Sequence, residues 1–423
     1  MTFKISPSEC YVYITLPGQT NPVTAGRFSI SVNRQGISTG QFFYGKQYLA
    51  RADAVPIDPI ELFLTPNTYE TVTLKGVFGA LRDSGPDYWG RRIIERHVQK
   101  HQLSEIDYLL NSADDRAGAM GFGLNKTPPA PQRHFNQTME LAKLLAIVDS
   151  VLKDEEVLNN PEHNQIKELM LIGTSMGGAR PKTVIEDQDG LWIAKFNRPD
   201  DKWNNATVEH AMLTLARECG LTSAESRIIN VKGEDVLLVK RFDREKTTEG
   251  YLRARMISAL TLLRGDESYN SRDKWSYILL ADELRHCCHE PKKNILELFK
   301  RVCFNALISN TDDHPRNHAV IAKDHNWKLS PAYDLTVSIP ISTERRDLAM
   351  ICGDAGRYAN AENLLSQHAR FLLDKEQAAN IISTMETQIQ NTWYSTARSC
   401  GVSERDCETI NTAFDYPGFR IQA

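Results

Sequence analysis

Two stretches of this 423-residue chain place side chains at spacings that could transfer a phosphoryl group. The first is Ser309-Asn-Thr-Asp-Asp-His-Pro-Arg-Asn317, which follows a run whose apolar positions (Ile295, Leu298, Phe299, Val302, Leu307, Ile308) predict a buried helix. Within it, four residues separate Asp312 from Asn317, the D-x-x-x-x-N spacing of a kinase catalytic loop. There the aspartate accepts the proton of the acceptor hydroxyl and the asparagine amide oxygen holds Mg²⁺. Pro315 lacks an N–H and is unsuited to a helix interior, so the segment should be a loop presenting polar groups. Downstream, Ser330-Pro-Ala-Tyr-Asp-Leu335 sets the lone carboxylate of Asp334 after a strand-like run, where a hard oxygen ligand suits Mg²⁺ bridging nucleotide phosphates.

The second stretch lies upstream. Lys195 ends the apolar strand Trp192-Ile-Ala-Lys195, the place of a kinase's phosphate-binding lysine. The glycine turn Gly173-Thr-Ser-Met-Gly-Gly178 precedes it, as a phosphate-covering loop should. Glu209 shares a predicted helix face with Met212, Leu213 and Ala216, and a carboxylate on such a face needs a partner, which Lys195 could supply. Taken singly, each residue has a bland alternative: a surface lysine, a helix-edge glutamate, a capping aspartate. Their order carries the inference: glycine loop, strand lysine, helix glutamate, hinge-like strand, Asp-x₄-Asn, metal aspartate.

Competing motifs fail on chemistry. Gly173 and Gly178 have P-loop spacing, but Ala179 stands where the lysine must be. His314 and His318 have the spacing of zinc ligands on a helix, which Pro315 disrupts, and the glutamate of H-E-x-x-H is missing. In His286-Cys-Cys-His289, adjacent helical side chains diverge and no second ligand pair stands at zinc spacing.

These residues need elements to hold them. Residues 1–125 read as a β-rich region, with strand-like runs Tyr11–Leu16 and Gly26–Val32 and a helix from Tyr88 to about Lys100. The proline-rich stretch 125–132 predicts a linker and a boundary near 126–136, followed by an amphipathic helix at about 137–153. A second region, 137–245, carries strands 183–185, 191–196 and 235–242 and a helix 207–219 stopped by Gly220. A third, 246–423, reads as helical at about 254–264, 274–285, 292–309, 361–373 and 375–397. The expected architecture is α+β: a bilobal, protein-kinase-like fold with a β-rich N-terminal lobe, an added N-terminal subdomain and a mainly helical C-terminal lobe.

Fifty Lys and Arg against 54 Asp and Glu give a charge of −4, which argues against broad nonspecific nucleic-acid binding. No signal pattern or membrane-length apolar run occurs, and eight scattered cysteines include no C-x-x-C, so a cytoplasmic location with no membrane association is expected.

Read together, several pieces resemble the HipA family of toxin kinases from bacterial toxin–antitoxin systems. They are Ser175-Met-Gly-Gly-Ala-Arg-Pro-Lys182, Ile193-Ala-Lys195, Val208-Glu-His-Ala-Met-Leu213, Lys240-Arg-Phe-Asp-Arg244, Asn310–Asn317 and Ser330–Leu335. Phe43-Tyr-Gly45, Tyr48-Leu49 and Arg82–Gly90 look like that family's N-terminal subdomain. The resemblance implies Asp312 as catalytic base, Asn317 and Asp334 as Mg²⁺ ligands, and Lys195 on the ATP phosphates beneath Gly177 and Gly178. It implies that His314 supports the catalytic loop, that the backbone around Lys240 and Phe242 meets adenine, and that Ser175, or its neighbour Thr174, can be autophosphorylated. It also implies a helix-turn-helix antitoxin of HipB type, contact with operator DNA only through that partner, and protein substrates such as aminoacyl-tRNA synthetases. The stretch Gly265–Arg272 departs from the pattern, which leaves the target open. Two further readings are a kinase-shaped corepressor that works by docking an antitoxin on DNA, and a small-molecule phosphotransferase.

Overall fold

The computed structural model describes residues 7–98, 103–131, 135–137, 141–145, 180–339 and 342–420. The chain clusters into two compact units, each built from non-contiguous segments. The first comprises Met1–Phe196, Lys240–Ile257 and Ile321–His325, and the second Asn197–Val239, Ser258–Val320 and Asn326–Ala423. The expected boundary near 126–136 falls inside the first unit, and so does the one at 245/246. Among the described residues no helix is long and apolar enough to cross a membrane.

In the first unit, strands β1 (Glu9–Thr15), β2 (Pro22–Val32), β3 (Ser38–Tyr44), β4 (Thr68–Thr71) and β5 (Met120–Gly123) form an antiparallel sheet in the order β4-β3-β2-β1-β5. Their aromatic and β-branched residues suit a pleated, half-buried surface, and Val12, Ile14, Phe28 and Phe42 are buried from it. Gly26 is required where β2 passes β3, since a Cβ there would lie 2.2 Å from the Phe43 carbonyl oxygen. The expected helix at 88–100 is α1 (Tyr88–Val98). Of the helix expected at 137–153, residues 141–145 are helical with Leu141 and Leu144 buried, and the remainder lies largely outside the described residues. The strand expected at 183–185 is β6 (Lys182–Asp187), antiparallel to β7 (Gly190–Phe196).

In the second unit, helix α2 (Asn205–Glu218) starts where the Asn204 side chain accepts from Thr207 N–H at 3.2 Å, and it stops before Gly220, whose φ is +75°. β8 (Ser226–Val231) and β9 (Glu234–Lys240) pair as a hairpin. Helices α3 (Tyr277–Cys287), α4 (Pro291–Leu307) and α5 (Lys375–Ser399) follow the apolar periodicity. One expectation is corrected: 254–264 is not a single helix. Arg255–Ser258 is a strand, extended so that the Arg255 guanidinium, which belongs to the first unit, reaches the carbonyls of Pro56 (2.9 Å) and Asp324 of that unit. Only after Ser258 caps the Thr261 N–H does a short helix, Ala259–Leu262, form. The expected 361–373 helix breaks after Ser366 into a 3₁₀ turn ending at Leu372 with φ +60°. The sequence reading also omitted α6 (Glu404–Phe414), which Ser403 caps and which buries Cys407, Ile410, Ala413 and Phe414 at helical spacing.

The Lys240-Arg-Phe-Asp-Arg244 motif performs a structural task inside the first unit. Asp243 accepts from Arg241 (Nε 3.0 Å, Nη2 2.8 Å), Arg244 Nη1 (2.8 Å) and Gly118 N–H (2.9 Å). The guanidiniums continue to the carbonyls of Asp115, Arg116 and Gly118. Burial would raise the Asp243 carboxyl, but the two arginines outweigh it and hold the group well below the usual carboxylate range. The 240–244 segment and the 115–118 loop are therefore pinned through one buried carboxylate. Removing that carboxylate by Asp243→Ala strands two buried cations, so urea unfolding should show a loss of about 3–5 kcal/mol. A loss within about 0.5 kcal/mol, typical of an ordinary surface change, would contradict this account.

Candidate active site

Helix α4 delivers the chain to the candidate loop. Its apolar face is buried through Ile295, Leu298, Phe299, Val302 and Phe304. It stops at Ile308, and Ser309 turns the backbone out with φ +56°. Short local bonds then shape the loop: Asn310 N–H donates to Asn305 O (2.9 Å), His314 N–H to Asp312 O (2.8 Å) and Asn317 N–H to His314 O (2.9 Å). Pro315–Asn317 form a single 3₁₀ turn, in keeping with the expected loop.

Beneath the loop lies a buried polar network centred on Asp313, which is 1 % exposed. A single oxygen, Oδ2, accepts from Tyr277 Oη, Asn305 Nδ2 (2.7 Å) and His318 Nε2 (2.7 Å). Burial by itself raises the Asp313 carboxyl; the His318 charge, followed by the His318 and Tyr277 hydrogen bonds, reverses this and lowers it below the ordinary value. Burial, then the adjacent Asp313 carboxylate, pushes the Tyr277 hydroxyl well up, so it remains a donor. Sequence spacing weighs His318 only as a zinc ligand and singles out none of Asp313, Tyr277 and Asn305. Their signal was faint: Asn305 is a polar residue within an apolar helix end, and Asp313 is a second carboxylate beside the one already chosen.

Above this network, Asp312 is exposed. Partial loss of solvent raises its carboxyl, His314 opposes the rise, and the carboxylates of Asp334 and Asp313 add to it. Asp334 thus stands close enough to act on Asp312, although 21 residues lie between them in the chain. Three contacts hold its segment: Ala332 N–H to Thr222 O (2.8 Å), Arg301 Nη2 to Ser330 O (2.6 Å) and Tyr333 Oη to Arg316 O (2.7 Å). Asp334 itself has φ +59°, a backbone state that aspartate tolerates better than most residues. Asn317 is buried and donates its amide nitrogen to Asp312 O at 3.3 Å, which turns its Oδ1 away from that bond. An amide oxygen and a carboxylate are hard donors of the kind Mg²⁺ takes, so Asn317 and Asp334 could hold the ion. His314 packs edge-on to Trp275 with centroids 6.5 Å apart, and its buried Nδ1 has no hydrogen-bond partner among the described residues.

The second unit therefore brings together Asp312, His314, Asn317 and Asp334, and it also carries the buried Glu209 on α2. Lys195, Lys240 and Phe242 belong to the first unit. Lys195 is half-buried on β7 opposite Lys182, whose own ammonium is buried against Asp87 at 3.2 Å. Lys240 Nζ lies 5.5 Å from the Trp192 ring centroid. Thr174, Ser175, Gly177 and Gly178 lie outside the described residues.

The family model of the HipA-like C-terminal domain matches residues 174–393, more than half of the chain. This chain belongs to the HipA family. A HipA of Shewanella oneidensis, solved with HipB and its operator DNA, superposes with a TM-score of 0.70 at 16 % identity, covering 98 % of this chain and 100 % of that one. The fold is thus the α+β, kinase-like fold of HipA, and the likeness reaches chain ends that the sequence motifs did not. A protein of Sinorhizobium fredii is 30 % identical over 37 % of this chain and 39 % of its own length. One of Haemophilus influenzae is 24 % identical over 48 % of this chain and 65 % of its own. Both are provisionally named as kinases, and the chain spans less than two thirds of either.

Asp313→Asn should cost about 1–3 kcal/mol at neutral pH, because an amide replaces a carboxylate that three buried donors share. Since the folded carboxyl is lowered, its contribution is present above the unfolded value of about 3.9 and lost as pH falls through the folded one. Thermal melts of the two proteins should therefore converge below about pH 4. A gap that stays constant down to the acid limit would show that the carboxylate charge is not what matters.

Proposed function

We propose that this HipA-family chain is an ATP- and Mg²⁺-dependent protein serine/threonine kinase that serves as the toxin of a toxin–antitoxin pair. The observation that carries the reading is the grouping of Asp312, Asn317 and Asp334 above the buried Asp313 carboxylate. In this reading Asp312 faces the acceptor hydroxyl and takes its proton while the hydroxyl oxygen bonds to the γ-phosphorus and the β–γ bridge breaks. The raised carboxyl of Asp312 suits a proton acceptor, because a more basic carboxylate removes a proton more readily. Asn317 Oδ1 and Asp334 would hold Mg²⁺, which when bound neutralises charge on the phosphates. By the family resemblance Lys195 would contact those phosphates, Gly177 and Gly178 would cover them, Glu209 would serve the nucleotide, and the backbone near Lys240 and Phe242 would meet adenine. Ser175, with Thr174 beside it, is the proposed acceptor for autophosphorylation.

The Shewanella HipA solved with HipB and operator DNA motivates a helix-turn-helix antitoxin as partner, with DNA reached through it. The proposed acceptor in trans is a hydroxyl of a translation component such as an aminoacyl-tRNA synthetase.

The two acidic residues have different jobs and should separate experimentally. Asp334→Asn should lose Mg²⁺-dependent affinity for a non-hydrolysable ATP analogue in calorimetry. Asp312→Asn should keep most of that affinity yet lose about 10²–10⁴ in transfer rate. Equal loss of Mg²⁺-dependent affinity in both would refute this division of roles. Absence of ATP affinity in the wild type would favour the corepressor reading instead.

A further inference from the structure

The C-terminal helix α6 is tied to the first residue of the catalytic loop by a buried cation that the proposed chemistry does not use. Arg346 is 3 % exposed, and its guanidinium is spread over the end of α6. Nη1 donates to Ala413 O at 2.9 Å, and Nη2 to Thr412 O at 2.8 Å and Asp415 O at 2.7 Å. These are carbonyls that a helix terminus leaves without intrahelical partners, at the end where the dipole favours a positive charge. The same guanidinium lies over the Tyr416 ring, 4.1 Å from its centroid, and the Arg346 N–H donates to Tyr416 Oη at 3.1 Å.

A simple helix cap would end there, but Nη1 also donates to Ser309 Oγ, and Ser309 Oγ donates in turn to Ala413 O. Ser309 is the left-handed residue at which the chain leaves α4, three positions before Asp312. Its carbonyl accepts from Ser338 N–H at 3.0 Å, and Ser338 Oγ meets Thr311 Oγ1 at 2.8 Å. Ser338 lies four positions after Asp334. One buried node therefore fixes the root of the Asp312 loop, the segment leaving Asp334 and the end of α6.

We infer that Arg346 and Ser309 form a latch through which the C-terminal helix positions Asp312 relative to Asp334. Both are positioning residues: neither is placed against nucleotide or acceptor, and each acts through the loop. The functional consequence rests on the kinase reading above, whereas the mechanical one does not. A reacting group held about 1 Å out of place can cost about a hundredfold in rate without weakening substrate binding.

The informative variant is Ser309→Ala, which leaves Arg346 free to cap Thr412, Ala413 and Asp415 while cutting the link to the loop. Arg346→Lys is its companion, since a lysine keeps the charge but cannot span the same acceptors. Hydrogen exchange on the full-length chain should show faster exchange at His314 and Asn317 in Ser309→Ala, with the amides inside α6 unchanged. In phosphoryl transfer, kcat should fall about ten- to a hundredfold with KM for ATP within about twofold, and the double variant should be no worse than the more impaired single one. Unchanged loop exchange in a folded Ser309→Ala protein would overturn the latch, as would equal loss of protection throughout α6, which marks a purely structural role. If the wild type transfers no phosphate, the kinase reading fails, and loop exchange still decides the latch.

Discussion

The candidate site depends on one buried carboxylate. Asp313 has almost no contact with water, and a charge in that position is tolerated only if donors surround it. Tyr277 comes from α3, Asn305 from α4 and His318 from beyond the 3₁₀ turn, so satisfying a single oxygen draws three separate pieces of chain to one point. The loop between Asn305 and His318 then has little freedom left. Its outward residue, Asp312, is exposed because its neighbour is not. A loop held from below presents its outward side chain without further cost in ordering.

The same device occurs in the first unit, again around one buried carboxylate. There Asp243 is shared by two arginines that also collect the carbonyls of the 115–118 loop. In both places, buried ionic groups specify where irregular backbone goes, a task that apolar packing performs poorly because it lacks direction. Gly118, with φ +78°, lets the loop turn its N–H onto Asp243.

Much of this was legible in the sequence, for identifiable reasons. Long helices such as α4 and α5 repeat their apolar residues over many turns, and β7 and β9 are short apolar runs, so both survive without tertiary information. The Asp-x₄-Asn spacing encodes a local turn, and the turn is present. Residues 254–264 misled because an extended Arg255 is selected by distant carbonyls of Pro56 and Asp324, which no local pattern reveals. The network of Asp313, His318 and Tyr277 is hidden for a similar reason: it is visible only once the helices that enclose it are in place. Arg241, Asp243 and Arg244 could be recognised as part of a motif, but their role as a charge cluster required coordinates. The HipA resemblance named the correct family, while assignments on Lys195, Glu209 and the 173–178 turn stand as functional proposals.

The central claim is that this chain transfers phosphate through Asp312. Purified protein incubated with Mg²⁺ and ATP labelled at the γ-phosphate tests it directly, followed by peptide mapping of the label. The wild type should acquire label in the peptide containing Ser175, and Asp312→Asn, equally folded and equally able to bind nucleotide, should acquire essentially none. Equal labelling of the two proteins would contradict the account.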